Sequence, residues 1–344
     1  MTRMTRSLCL LITLLWGASL ACGQAPEGRY RLVDSLRLGG QTGWDYLTVD
    51  TSADRLYISR GGHVQIVDLS KKVTGDVQNT PGVHGVALVH PLGRGYTSNG
   101  RDSSVTVFDL ATLAVITTIR IDARNPDAIL YEPVSRRVFT FNGGSANATA
   151  IETANNTLAG NIGLGGRPEF AIADGTGKIF VNIIDKHELV VLDARRLEVV
   201  HRWSLEPGEE PSGLAYDREH RLLFSGCRNK LMVIMNAENG RVVATVPIGQ
   251  GVDGTAYDPG ARLAFCANGD GTLTVVREES PEKFSLVENV PTPRGARTLA
   301  LDERTHRIYT VSAKFGPPPA PTAERPRPRP SIEPGSVTLY ILAP

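Results

Sequence analysis

The sequence predicts an all-β fold, a seven-bladed β-propeller with four antiparallel strands in each blade. Three observations lead to this prediction. A short apolar strand ending in a polar residue recurs at a period of roughly 40 residues, the period of propeller blades. A tight turn and a basic residue then lead into a second strand. Finally, the last unit lacks a fourth strand, whereas an unassigned strand stands near the N-terminus.

The repeating unit is visible at corresponding positions along the chain. The first strands end at Asp50, His90, Glu132, Asp174, Asp217, Asp258 and Asp302. The basic residues that follow are Arg55, Arg94, Arg137, Lys178, Arg221, Arg262 and Arg307, and each is expected to open a second strand. Third strands end at Asp68, Asp109, Glu152, Asp193 and Asn236, whereas the sixth unit has Arg277 there. We interpret the acid–turn–base pattern as turn formers and short-range ion pairs.

The two ends of the repeat array predict how the ring closes. The seventh unit ends with SVTLYIL, residues 336–342, and no fourth strand follows it. The segment YRLVDSLRL, residues 30–38, supplies the missing strand and covers the open edge of that blade. Residues 30–344 therefore form one propeller domain, interrupted in the last blade by a proline-rich insertion at 314–336.

The N-terminal segment is predicted to direct export. Arg3 and Arg6 precede a short apolar run, and small residues follow it, which makes residues 1–21 a secretory signal and 22–29 a linker. The apolar run is too short to span a membrane. Cleavage after Ala21 would leave Cys22 first, so a lipid anchor and free secretion stay open as alternatives. We expect a periplasmic or secreted protein, with an outer-membrane lipoprotein as the anchored form.

Charge and cysteine content narrow the functional classes. The formal net charge is +1 over 344 residues, which gives no strong signal for nucleic-acid binding. Once the signal is removed, Cys227 and Cys266 remain in the domain. Their repeat positions direct both side chains to the same face of neighbouring blades, so we predict two buried free thiols rather than a disulfide.

The segment LYISRGGHVQIVDL, residues 56–69, and its copies resemble the YVTN repeats of the YncE-like family of exported bacterial propellers. The resemblance covers nearly all of residues 30–344, although the copies are degenerate, with LYIS, GYTS and IYTV in place of the family tetrapeptide. The proline-rich insertion is similar to one found in members of this group. The resemblance implies the fold but little about function. The same architecture, the quinoprotein amine dehydrogenase-like fold, also serves as a noncatalytic subunit of some quinone-dependent amine dehydrogenases.

The segments that enter the first strands are expected to crowd around the central channel. The residues one step before these strands are Asp45, Gly85, Asp127, Glu169, Ser212, Asp253 and Arg297, with Trp44 and His84 beside them. Gathered carboxylates raise each other's pKa unless a cation sits among them. Three outcomes stay open: a hydrated mouth with Arg297 paired to an acid, a divalent cation such as Ca²⁺ held by Asp45, Asp127, Glu169 and Asp253, or direct contact with a cationic or polyol ligand.

Three functions are compatible with this pattern. The first is a monomeric binding or scaffold protein that engages a protein partner or small ligand at the acidic channel face. The second is a metal-assisted hydrolase, lactonase or lyase in which the channel carboxylates hold the cation and His84 serves as acid and base. The third is a noncatalytic propeller subunit of a periplasmic redox complex. The insertion, with Arg325, Arg327 and Arg329, is expected either to cross the mouth as a strap or to stand in solvent.

Overall fold

The computed structural model describes residues 29–40, 42–322 and 330–344. They form seven four-stranded antiparallel sheets, so the predicted seven-bladed propeller is confirmed. The predicted signal 1–21, the lipid anchor at Cys22 and nearly all of the linker lie outside the described residues, as do Arg325, Arg327 and Arg329. Among the described residues, no helix has the length and apolar character needed to cross a bilayer.

The strands follow the repeat from the channel outward. The innermost strands are β2 (Leu47–Asp50), β6 (Val83–Val89), β10 (Pro126–Glu132), β14 (Pro168–Ala173), β18 (Pro211–Asp217), β22 (Val252–Asp258) and β26 (Leu299–Asp302). The second strands are β3 (Arg55–Ser59), β7 (Arg94–Asn99), β11 (Arg137–Asn142), β15 (Lys178–Ile183), β19 (Leu222–Cys227), β23 (Leu263–Asn268) and β27 (Arg307–Ser312). The third strands are β4 (Val64–Asp68), β8 (Ser104–Asp109), β12 (Asn147–Glu152), β16 (Glu188–Asp193), β20 (Leu231–Asn236), β24 (Thr272–Ser280) and β28 (Thr338–Ala343). The outermost strands are β5 (Lys72–Val77), β9 (Val115–Arg120), β13 (Thr157–Gly163), β17 (Glu198–Ser204), β21 (Val242–Pro247), β25 (Lys283–Pro291) and, in the last blade, β1 (Arg31–Arg37). One short 3-10 turn, His90–Leu92, joins β6 to β7.

The predicted ring closure is confirmed. Strand β1 pairs antiparallel with β28, in a register that runs from Arg31 opposite Ala343 to Arg37 opposite Thr338. Just before it, the ring of Tyr30 packs edge-on against Phe265 of blade 6, with centroids 5.0 Å apart, and its hydroxyl donates to the carbonyl of His306. The first strand of the domain therefore covers the edge of the last blade and also contacts the blade before it.

The hydrophobic core lies between blades. The described buried residues form seven clusters, and each cluster combines side chains of two adjacent blades. The second strands each contribute a buried aromatic ring at one register position: Tyr57, Tyr96, Phe139, Phe180, Phe224, Phe265 and Tyr309. Because one sheet buries its faces only against its neighbours, the ring forms as a unit.

The turns on one face of the ring confirm half of the acid–turn–base interpretation. The acids accept hydrogen bonds from the backbone of their own turns, as Asp50 does from Ser52 and Ala53. The basic residues mostly do something else. Arg55, Arg94 and Arg137 donate to carbonyl groups of the next blade, at Leu110, Thr153 and Ala194, over 2.5, 3.1 and 3.0 Å. Arg221 and Arg262 lie inside the turns, one residue before β19 and β23, with left-handed φ angles.

The insertion leaves blade 7 between β27 and β28, as predicted. Its base is a short ribbon in which Phe315 bridges Ile332, Gly316 donates to Ser331, and Glu333 donates to Lys314. Cys227 and Cys266 are buried and form no disulfide bond, which confirms the predicted free thiols. Burial raises the pKa of both thiols to about 12, so they are unreactive at neutral pH.

Candidate functional site

The approach segments of the innermost strands bring the predicted acidic residues to one end of the channel. Tyr46, which follows Asp45, lies close enough to all four carboxylates for each to affect its pKa. Burial raises the pKa of Tyr46 well above the ordinary value, and the charges of Asp127, Asp45, Glu169 and Asp253 raise it further. The four carboxylates from blades 1, 3, 4 and 6 therefore share one electrostatic environment around the tyrosine.

Tyr46 crosses the channel, a feature that the sequence analysis missed. Its ring packs edge-on against Phe170 of blade 4, with centroids 4.7 Å apart. Gly85 makes room for this crossing, since a Cβ there would stand 3.2 Å from Tyr46 Cδ2 and 2.9 Å from Ile129 Cγ2. A signal was present in the sequence, because Tyr46 and Phe170 are the aromatic residues at a channel-facing repeat position that is otherwise filled by Val86, Ala128, Gly213, Gly254 and Thr298.

His84 lies between two of the carboxylates. Its Nδ1 is 2.6 Å from Asp45 Oδ2 and 3.6 Å from Asp127 Oδ1. Burial opposes the charged imidazole, but the hydrogen bond to Asp45 and the charges of Asp127 and Asp45 outweigh it and raise the pKa of His84 to about 9. Burial also raises the pKa of Asp127 to about 6, against the opposing charge of His84. At neutral pH the imidazolium is thus the cation that allows these two carboxylates to be ionised together.

Arginine side chains neutralise the other two carboxylates. Arg297 Nε lies 2.6 Å from Asp253 Oδ2, and Ser212 donates to Asp253 Oδ1 over 2.8 Å. Glu169 is paired with Arg167 at 2.6 Å. Even so, burial and then the charge of Asp127 raise the pKa of Glu169 to about 7, so this carboxyl titrates near neutrality.

The predicted four-carboxylate cation site divides into two groups in the structure. Asp45, Asp127 and His84 offer ligand atoms within 4.8 Å of one another, a spacing compatible with one metal ion. Glu169 and Asp253 are not in this group, and each is paired with an arginine. His84 is thereby joined to the predicted ligands, and the metal assignment itself stays a prediction.

Trp44 lines a cavity beside the acidic cluster. The cavity has a volume of about 1020 Å³ and lies between the channel mouth and the base of the insertion. Its wall includes Arg297, which is shared with the acidic cluster, and Phe315 and Ile332 of the insertion. The rings of Trp44 and Phe315 are 6.2 Å apart, so the insertion and the channel approach together form an aromatic wall.

A buried arginine positions Trp44 and Asp45. Arg60, which is 1 % exposed, donates to the carbonyl groups of Gly39 and Gly43 over 2.7 and 3.3 Å and to Gln65 Oε1 over 2.6 Å. Arg60 therefore holds the beginning of the approach to β2, whereas backbone hydrogen bonds from Asp45 to Ser59 and from Tyr46 to His84 hold its end. The same approach meets the insertion, since Gly335 donates to the carbonyl of Gly40.

Known structures show the same fold. A chain from "Kuenenia stuttgartiensis Hydrazine Synthase" superposes with a TM-score of 0.69 at 17 % identity, covering 78 % of this chain and 92 % of the other. A chain from "Crystal Structure of Mitotic Checkpoint Complex" superposes with a TM-score of 0.74 at 13 % identity, covering 99 % of both. Neither a protein-family model nor a curated protein sequence matches the chain. At these identities the likeness concerns the fold alone.

Proposed function

We propose that this chain is a ligand-binding propeller whose site is the cavity between the channel mouth and the insertion of blade 7. The observation that carries the proposal is the cavity itself. Its volume of about 1020 Å³ matches the upper range of small-molecule sites, and it lies directly beside the acidic cluster through Arg297. This proposal keeps the ligand-binding hypothesis for the channel face, but it moves the site toward blade 7 and replaces the expected cationic or polyol ligand by an anionic one.

The lining indicates the chemistry of the ligand. Trp44, Phe315 and Tyr340 supply aromatic surface. Arg294 and Lys314 supply positive charge that exceeds the charge of the one lining carboxylate, Glu333. Among the described residues, neither of these two cations has an ion-pair partner. A small molecule with a planar apolar body and an anionic group satisfies both features, because the rings stack on its faces and the cations pair with its charge.

A fluorescent anion of this chemistry tests the proposal. Anilinonaphthalene sulfonate is expected to bind the native protein with a Kd in the micromolar range, and Phe315→Ala and Lys314→Gln each weaken it about tenfold. Leu286→Ala is the matched control, since Leu286 is an exposed apolar residue on the edge strand β25. Equal dye binding by Phe315→Ala and by native protein would contradict the proposal.

A metal-assisted reaction is the second candidate, favoured by the spacing of Asp45, His84 and Asp127. Here the cation would polarise a carbonyl group of the substrate. The test is metal content after dialysis against Mn²⁺ or Zn²⁺. Asp127→Asn is expected to lose one equivalent, whereas Glu169→Gln keeps it because Glu169 faces Arg167. Retention by Asp127→Asn rejects this candidate. The role of redox-complex subunit stays a prediction, to be tested by co-purification with a haem or quinone protein.

A further inference from the structure

A second cluster of ligating side chains lies between blades 5 and 6. His220 Nδ1 is 2.7 Å from Asp217 Oδ2 and 2.7 Å from Glu278 Oε1. Together the three residues offer ligand atoms within 4.8 Å of one another. Asp217 ends β18 and His220 lies in the turn after it, whereas Glu278 lies near the end of β24. The cluster is therefore at the opposite end of the strands from the channel mouth, remote from the site described above.

Glu278 departs from the repeat. In each of the first six blades, the residue after the regular third strand donates its N–H to a carbonyl group of the first turn. These residues are Leu69, Leu110, Thr153, Ala194, Ala237 and Glu278. Glu278 carries the one ionisable side chain in that series. Its side chain is 0 % exposed. Burying a carboxylate in the interface between two blades costs desolvation free energy, and the other blades have uncharged residues at this position.

His220 departs from the repeat as well. Blades 1, 3, 6 and 7 have first turns of the same length as blade 5, judged by the residues paired across each turn. At the position of His220 they have Ala53, Ser135, Ala261 and Thr305. Two independent departures, one in each of two blades, thus meet at hydrogen-bonding distance across one interface.

The hydrogen bonds available to the cluster do not satisfy it. The Nδ1 of His220 carries at most one proton, and its hydrogen bond goes to Asp217 Oδ2. Tyr257 donates to Glu278 Oε2 over 2.5 Å. Glu278 Oε1 is buried with no hydrogen-bond partner among the described residues, and Arg262 Nη2 stands 3.5 Å from it. A buried carboxylate oxygen is therefore aimed at a nitrogen that is already engaged.

We propose that Asp217, His220 and Glu278 form a binding site for one divalent transition-metal ion. A neutral imidazole nitrogen and two carboxylate oxygens are a three-ligand set of the kind that binds Zn²⁺ or Mn²⁺, with water completing the coordination. In a tetrahedral Zn²⁺ site the ligand atoms stand about 3.3 Å apart, so the present 2.7 Å contacts open by about 0.6 Å. His220, with 23 % of its side chain exposed, can make this movement and provides the path for the ion.

The place of the cluster suggests what the ion does. At three other interfaces, an arginine of one blade donates to a carbonyl group at the position of Glu278 in the next blade, as Arg55 does to Leu110. In blade 5 the same strand position is Leu222, which has no donor side chain, and the preceding Arg221 pairs with Glu238 of its own blade. Among the described residues, no arginine of blade 5 donates to this backbone position of blade 6. A metal ion held by two residues of blade 5 and one of blade 6 would join the two blades at that place.

Metal titration of the chelator-treated protein tests the site. Isothermal titration with Zn²⁺ or Mn²⁺ is carried out in an Asp127→Asn background, so that the channel cluster does not contribute. One equivalent is expected to bind, and a hundredfold excess over Kd raises the melting temperature by about 5 °C. Glu278→Gln and His220→Gln each weaken binding at least a hundredfold. His306→Gln is the matched control, because His306 pairs with Asp258 at 2.6 Å on the same face and no third ligand stands beside them among the residues that the structure describes.

Two outcomes overturn the proposal. The first is that the native protein binds no metal at millimolar concentration, while Glu278→Gln and His220→Gln still lower the melting temperature. In that case the cluster is an ion pair between the two blades and not a metal site. The other is binding that Glu278→Gln leaves unchanged. If the variants do not fold, Mn²⁺ added to the native protein decides: selective broadening of amide resonances around His220 supports the site, and broadening confined to His84 or to neither residue rejects it.

Discussion

At the scale of single residues, the carboxylates of the channel mouth are neutralised by nearby cationic side chains. Two arginines and one imidazolium face four carboxylates, and the pairings are local: Arg297 with Asp253, Arg167 with Glu169, and His84 with Asp45 and Asp127. Arginine stays charged at any physiological pH, whereas His84, Asp127 and Glu169 have pKa values of about 9, 6 and 7. The pH response of the mouth therefore belongs to these three groups.

His84 is expected to titrate near pH 9, and Asp45→Asn to lower its pKa because the hydrogen bond to a carboxylate is lost. The folded pKa lies above the ordinary 6.5, so the stabilisation is fully present below pH 6.5 and is lost as the pH rises through about 9. Imidazole resonances followed by NMR measure the pKa. Asp54→Asn, an exposed acid on the opposite face, is the control. A His84 pKa that Asp45→Asn leaves in place would show that the contact is unimportant.

Glu169→Gln is expected to make the protein more stable than the native form at pH 8 and about equal at pH 4. The folded pKa of Glu169 is raised to about 7, so its stabilising contribution is present below pH 4.5 and is lost as the pH rises through 7. Glutamine keeps the neutral form at every pH. Urea unfolding at the two pH values should give a difference of about 3 kcal/mol at pH 8. A variant that is less stable at pH 8 would mean that the ion pair with Arg167 outweighs burial.

At the scale of elements, the site depends on two segments, the approach to β2 and the insertion of blade 7. The approach to β2, residues 42–46, carries Trp44, Asp45 and Tyr46, and the insertion carries Phe315 and Ile332. Arg60 holds the first segment through its carbonyl groups, and the backbone of Gly40 joins it to the second. The cavity and the acidic cluster are therefore connected through the hydrogen bonds of the approach to β2.

Arg60→Met tests this connection. Methionine keeps the apolar volume but removes the donors to Gly39 and Gly43, and leaves those carbonyl groups without their partner. The free energy of unfolding is expected to fall by about 3 kcal/mol, and binding of anilinonaphthalene sulfonate to weaken. Both are read by fluorescence, during urea unfolding and dye titration. Arg196→Met, at an exposed ion pair, is the control, with an expected change below about 0.5 kcal/mol. If Arg60→Met is destabilised but binds the dye as the native protein does, the shape of the cavity does not depend on Arg60.

At the scale of the whole molecule, stability is a property of the closed ring. Each of the seven hydrophobic clusters needs two blades, and β1 is the element that completes the last blade. Its side chains are largely exposed, so its contribution comes from the hydrogen-bonded ladder with β28 and from Tyr30. Covering the β28 edge also prevents pairing with another chain.

Removal of residues 29–37 is therefore expected to lower the melting temperature by about 10 °C and to cause self-association through the uncovered β28 edge. Differential scanning calorimetry and size-exclusion chromatography provide the two measurements. The chain that begins at Arg29 is the control. A truncated protein that stays monomeric, with an unchanged melting temperature, would show that the ring closes without β1.

The repeat allowed the blade number, the closure by β1 and the place of the insertion to be predicted, because these features depend on strand patterns a few residues long. Convergence of Asp45, Asp127, Glu169 and Asp253 also followed from their common repeat position. The direction of the basic side chains did not. Arg55, Arg94 and Arg137 reach carbonyl groups of the neighbouring blade. The acid of the turn beside Arg55 already accepts hydrogen bonds from its own turn, whereas Arg221 pairs with Glu238 of its own blade.

The sequence by itself determined the architecture and the set of residues at each end of the channel, because both are written in a local and repeated pattern. Tertiary structure alone decided the partners: Tyr46 with Phe170 across the ring, His84 between two acids, Trp44 with Phe315 in the cavity wall, and His220 with Glu278 between blades. These contacts join residues distant in the chain. Ring geometry and side-chain reach select them, and a periodic pattern contains neither.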